Sequence, residues 1–179
     1  MFYVSEIYDR PPARFKTALQ EKTYRALAEL RLPFERVETD EAITMEDCVQ
    51  IDGKLHMKMV KTLFLCNRQQ TALYLFVTAG DRPFRSKDFS AALGVSRVSF
   101  APLELMERLL GAKMGAATVF SALLETARGV QVIFSRGVAA EEWYGCSDGT
   151  TTGYMKIRTA DVLNRLLLYT GHSYRIIEA

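Results

Sequence analysis

Long apolar runs are missing from this 179-residue chain. No stretch approaches the roughly 20 residues that a membrane-crossing helix needs, and no apolar segment of signal-peptide type leads it. A cytoplasmic protein without a membrane partner is therefore expected. Cysteine is scarce: Cys48, Cys66 and Cys146 are odd in number and unclustered, and two lie in or beside apolar stretches. That pattern argues for reduced thiols and against a disulfide framework. The two histidines, His56 and His172, have no cysteine or carboxylate company at metal-ligand spacing, so no metal and no cofactor is expected. A Walker loop and a GxGxxG turn are absent, and a serine nucleophile would lack an evident base, which argues against the usual nucleotide-cradle and serine-hydrolase readings. Charge of one sign is also lacking. A net charge of +2 neither demands nor excludes nucleic acid, and only local clustering of cations would point to it.

What remains is ordinary globular material. With 49% hydrophobic and 25% charged residues, and no internal repeat or linker, the chain is long enough to bury a core as one domain. Thr17 to Arg31 carries Ala18, Leu19, Tyr24, Ala26, Leu27 and Leu30 mostly on one helical face, and Pro33 ends it. PFERVE reads as a strand. Thr44 followed by Asp47 marks the start of a short helix, Ser86 precedes KDFSAALG with Gly94 as its stop, and VSFAPLELMERLLGA holds a short strand and a helix ending near Gly111. VQVIFS is a buried strand, Thr159 caps ADVLNRLLLYTG, and SYRIIEA closes the chain. These elements predict an α+β fold sharing one core. Phe100, Phe120 and Phe134 are assigned to that core.

The most informative residue is Lys61. It stands at the entrance of MVKTLFLC, which a short polar turn at Asn67 to Gln70 joins to ALYLFVTAGD, and both runs read as paired core strands. An ammonium there either keeps its head in water or faces an anion. Lys54, Lys58, His56 and Arg68 make the neighbourhood basic. In a strand from Met57 to Cys66, Lys61 and Lys58 fall on opposite faces, so a joint phosphate grip needs the strand to begin after Lys58.

KTLFL followed by YLFVTAGD is similar to the central strands of the YbaK/ProX-like prolyl-tRNA editing family. The similarity extends upstream to ALQEKTYRALAELRLPFERVET and TMED, and downstream to FRSKDFSAALGVSRVSFAPLELMERLLGAKMGAATVF and TADVLNRLLLYTGHSYRIIEA. It covers residues 17 to 179, leaving residues 1 to 16 as an N-terminal arm. The resemblance implies a single-domain fold like the insertion domain of prolyl-tRNA synthetases, with a mixed curved sheet flanked by helices. It also implies a free-standing deacylase for mischarged tRNA, alanine or another small residue on tRNA(Pro). The partners implied are the aminoacylated acceptor end of tRNA and, as an open alternative, prolyl-tRNA synthetase. Phe2, Tyr3, Ile7 and Tyr8 of the arm are expected to fold back onto the core, with a second copy of the chain as the alternative contact.

By the same resemblance Lys61 is the catalytic lysine facing the terminal nucleotide. Gly115, Ala116, Ala117 and Thr118 occupy the loop that shapes the aminoacyl pocket, and Thr151 stands where an asparagine is common. An aminoacyl ester is already activated and carries a vicinal ribose hydroxyl, so positioning suffices and no dedicated nucleophile is needed. The chain departs from the pattern where GxxxP is completed by Val119, where Thr62 follows the lysine, and where WYGCSDGTTTGYMKI lacks a histidine-proline pair. Those departures keep an alternative open: a family member without catalysis that binds a tRNA acceptor end or a small aminoacyl-like ligand. A module docked on a synthetase is a third reading.

Overall fold

The computed structural model describes residues 1–42 and 44–179, Met45 by its backbone. Thr17 opens α1 (Ala18–Glu29), its hydroxyl accepting from the Gln20 amide, and the helix buries Leu19, Tyr24, Ala26 and Leu27. Next come β1 (Phe34–Glu38) and α2 (Met45–Leu55). At α2 the Thr44 hydroxyl accepts from the Asp47 amide and the Asp47 carboxylate accepts from the Thr44 amide, a reciprocal cap that satisfies two otherwise orphaned donors. The chain continues through β2 (Val60–Asn67), β3 (Leu73–Ala79), α3 (Ser86–Leu93), β4 (Val98–Phe100) and α4 (Leu103–Leu110). Two short 3₁₀ turns, Val119–Leu123 and Glu125–Ala127, lead into β5 (Val130–Ser135) and α5 (Arg136–Ala139). Then follow β6 (Trp143–Ser147), β7 (Gly153–Arg158), a closing helix and β8 (Tyr174–Ile177).

The strands divide between two sheets. The larger is mixed, in the order β4-β2-β3-β5-β8; the smaller is antiparallel, in the order β1-β7-β6. In the larger sheet β2 pairs antiparallel with β3 and β4, while β3–β5 and β5–β8 are parallel. The sheets touch through one parallel bridge, Met59 to Gly145. A Cβ on Gly145 would meet Met57 Sδ and the Lys58 carbonyl, so only glycine lets β6 cross so close to the entry of β2. The main apolar cluster joins α1, the 3₁₀ turns and the closing helix to both sheets; smaller clusters lie beneath α3 and α2.

The expectation of one core and one sheet is thereby refined, and β6 and β7 are strands that the sequence reading did not assign. Three further corrections concern single residues. Ser86 is the first residue of α3 rather than its cap, which is Arg85 with no side-chain bond. Thr159 likewise begins the closing helix behind Arg158, with its amide donating to the Glu142 carbonyl. Phe120 and Phe134 are fully buried, but Phe100 is 62% exposed because β4 ends the sheet and turns that side chain outward. The closing helix passes through a π-helical stretch, Val162–Leu166, from which Arg165 donates to the Leu30 carbonyl at the end of α1. The N-terminal arm runs along β1, with bridges from Val4 to Thr39 and Tyr8 to Arg36. No described helix is long and apolar enough to cross a membrane.

Candidate active site

A cleft of about 740 Å³ opens where the two sheets diverge. Its floor is the first half of β2, Val60 to Phe64, preceded by Lys58 and Met59. Because β2 begins at Val60, the two residues before it escape the strict alternation, and Lys58 and Lys61 both reach the cleft. Lys61 is half-buried and its Nζ donates to the Arg82 carbonyl in the turn after β3. An ammonium has three donors, so with one bond among the described residues two remain for a ligand. Gly80, beside that turn, also lines the cleft; its Cα lies so close to the Met59 carbonyl that a Cβ would sit 2.6 Å from the oxygen.

The opposite elements supply an apolar surface. Phe100 and Ala101 at the end of β4, Leu103 and Met106 of α4, and Met114 with Gly115 of the following loop all line the same cavity. Gly115 sits at φ +86, in the left-handed region that glycine tolerates, and Ala116 N–H donates to the Lys113 carbonyl to close the turn at 3.0 Å. Of the residues that the resemblance assigned, Lys61, Gly115 and Ala117 face one cavity. Ala116 and Thr118 are instead buried beneath the loop, where Thr118 caps the first 3₁₀ turn and its hydroxyl approaches the Cys146 thiol. Thr151 stands behind Gly115, its methyl 3.7 Å from where a Cβ would be, and its hydroxyl donates to Glu41 at 3.3 Å. Val119, standing where the family has proline, is fully buried and anchors the loop by packing.

The ionisable groups around the cavity have distinct characters. Burial, reinforced by the charges of Asp52 and Asp47, raises the Cys48 thiol. Burial also raises the Cys146 thiol, opposed only in part by Thr118. Both thiols that line the cleft are thus held protonated, a poor state for a nucleophile. Asp52 of α2 is pushed up to about 6, chiefly by burial and secondarily by Asp81, while the hydrogen bond from the Met59 amide opposes the shift. That bond, 3.0 Å to Oδ1, fixes the entry of β2. Among the described residues no group of three or more His, Cys, Asp or Glu side chains is placed to hold a metal ion.

Asp148 escaped the sequence reading. It is fully buried in the turn between β6 and β7. Its Oδ2 accepts from Gln20 Nε2 at 2.9 Å and Tyr24 OH at 2.8 Å, and its Oδ1 from the Thr150 amide and hydroxyl at 3.2 and 2.8 Å. The carboxylate ties this turn to α1 and so holds Cys146 and Ser147 on the cleft wall. Neither Gln20 nor Tyr24 is near Asp148 in sequence, and no local signal announces the bonds.

The aminoacyl-tRNA editing domain model matches residues 39–164, a span that contains every cleft residue named above. The prolyl-tRNA editing protein ProX of Acetoanaerobium sticklandii is 24% identical over 152 residues, 85% of this chain and 92% of that protein. Two solved structures share the fold. One is described as a candidate trans-editing enzyme for prolyl tRNA synthetase (TM-score 0.63, 15% identity, 92% of this chain and 99% of that one). The other comes from computational epitope grafting onto scaffold proteins (TM-score 0.67, 16% identity, 91% and 98%). The chain belongs to the aminoacyl-tRNA editing domain family, and its enzyme class is that of an aminoacyl-tRNA deacylase.

Proposed function

We propose that this chain is a free-standing trans-editing enzyme that removes alanine or another small residue from mischarged tRNA(Pro) in the cytoplasm, with no resident metal. The observation that carries this reading is the placement of Lys61 and Gly115 in one cleft of about 740 Å³, within the usual range for a pocket that holds a nucleoside-sized ligand. The two free donors of the Lys61 ammonium hold a phosphate oxygen of the terminal nucleotide as a fixed point charge. The aminoacyl group then lies toward the Gly115 loop. A small side chain lies there beside Ala117 and Gly115, and the site works as a second sieve after the synthetase's own selection.

Hydrolysis needs no enzyme nucleophile. Water adds to the ester carbonyl, the carbonyl electrons collect on oxygen, and the carbon–oxygen bond to the ribose breaks. The departing ribose oxygen takes a proton and the amino acid leaves as its carboxylate. What the protein contributes is alignment and stabilisation of the transient oxyanion. The test is hydrolysis of alanyl-, cysteinyl-, seryl-, threonyl- and prolyl-tRNA by the purified chain, with and without EDTA. The account expects turnover of a small mischarged residue, sparing of prolyl-tRNA and no effect of EDTA. Binding of tRNA with no turnover of any substrate would instead favour a non-catalytic acceptor-end binder.

A further inference from the structure

We infer that the main chain of Thr62 is the ester-gripping element of the cleft, pairing with the aminoacyl group as though that group were one residue of a neighbouring strand. The inference rests on the deacylase reading above and adds the group that holds the reacting carbonyl.

The argument is one of hydrogen-bond accounting. In an antiparallel pair, successive residues of a strand direct their N–H and C=O groups alternately to one edge and the other. For β2 the phase is fixed at both ends. Met59 C=O accepts from Gly80 N–H, and Asn67 N–H donates to Ala72 C=O, so the odd positions face β3. Phe64 C=O accepts from Ala101 N–H on the far edge, so the even positions face away from β3. Thr62 therefore turns both of its peptide groups to the far edge. The β4 ladder reaches only from Leu65 to Asn67, and the contact with β6 is confined to the bridge at Met59. Among the described residues no strand neighbour covers the edge at Thr62, and the space beside it is the cleft.

An aminoacyl ester offers what that edge lacks. Its carbonyl oxygen accepts one hydrogen bond and its α-ammonium donates another, with the same spacing as the C=O and N–H of a peptide residue. Thr62 N–H donates to the ester carbonyl and strengthens as that oxygen becomes anionic, and Thr62 C=O accepts from the ammonium. The donor is preorganised because the opposite edge of β2 is locked into β3 throughout. The grip ignores the side chain, leaving size selection to the Gly115 loop.

Proline at Thr62 tests this, since it deletes a donor that the β3 ladder does not use, as proline does on an open strand edge. Thr62→Ala is the reference, because it also loses the hydroxyl but keeps the amide. With alanyl-tRNA as substrate, kcat of Thr62→Pro is expected to fall by about 100-fold or more relative to Thr62→Ala; a difference within about threefold overturns the inference. Should the proline variant unfold, amide exchange in the wild type decides. The Thr62 amide is expected to exchange faster than those of Lys61 and Leu63, and to become protected on saturation with 3′-alanylamino-adenosine, whose amide resists hydrolysis. Protection already present in the free protein, or no change with that ligand bound, contradicts the grip. Loss of wild-type turnover on every tRNA would count against the deacylase reading, whereas turnover by wild type, Thr62→Ala and Thr62→Pro alike would count against the Thr62 grip alone.

Discussion

Single side chains here act through neighbours distant in sequence, and their legibility follows from that. Lys61 was readable because a cation in a run of strand-forming apolar residues is costly wherever it lies, and Gly115 because its loop fits a known pattern. Asp148 was not, since its acceptors are filled by Gln20 and Tyr24, more than a hundred residues away. Its replacement by alanine strands those buried donors, so Asp148→Ala is expected to lose about 3 kcal/mol of unfolding free energy in urea; a loss below about 1 kcal/mol would show that the turn is held by other contacts. Asp52 gives a pH signature. Its folded-state value of about 6 lies above the ordinary 3.8. Between those values the folded protein keeps a proton that the unfolded chain has released. Stability therefore falls as pH rises through this window and levels off above it. Asp52→Asn retains an acceptor for the Met59 amide and removes the titration. The difference in urea midpoint between wild type and variant is expected to change between pH 4 and 6 and to stay flat from 7 to 8; a constant difference throughout would exclude Asp52.

At the scale of elements, helices announced by caps and stops were found where expected: α1 ahead of Pro33, α2 behind the Thr44–Asp47 pair, and α3 and α4 ahead of Gly94 and Gly111. The apolar strands β2, β3 and β5 were equally plain. β6 and β7 were not, because WYGCS and GYMKIR flank a polar turn and neither alternates cleanly; their pairing comes from each other and from β1. Phe100 was misread for a related reason. Burial base rates do not reveal that a three-residue strand lies at the end of its sheet. The junction of the sheets is the element most exposed to perturbation. A methyl at residue 145 has to displace the Met57 side chain and crowd the Lys58 carbonyl, so Gly145→Ala is expected to cost about 1–3 kcal/mol. It should also lower deacylation more than its stability loss explains, because the entry of β2 carries Lys58 and Lys61. Wild-type stability and rate in that variant would show that the junction adapts freely.

For the molecule as a whole, two sheets that meet at one bridge and then part leave a cleft floored by a strand whose second edge, among the described residues, has no strand partner at Thr62. Fold and family were legible from the order of blocks along the chain, while the cleft's walls were not, since they are assembled from α2, β2, the turn after β3, α4, the Gly115 loop and β6. The most direct measurement is single-turnover deacylation of alanyl-tRNA(Pro) by wild type and Lys61→Ala, with thermal unfolding recorded for both. The account predicts hydrolysis by the wild type, a loss of about 100-fold or more in the variant, and unchanged unfolding. Equal rates in two equally folded proteins would contradict it.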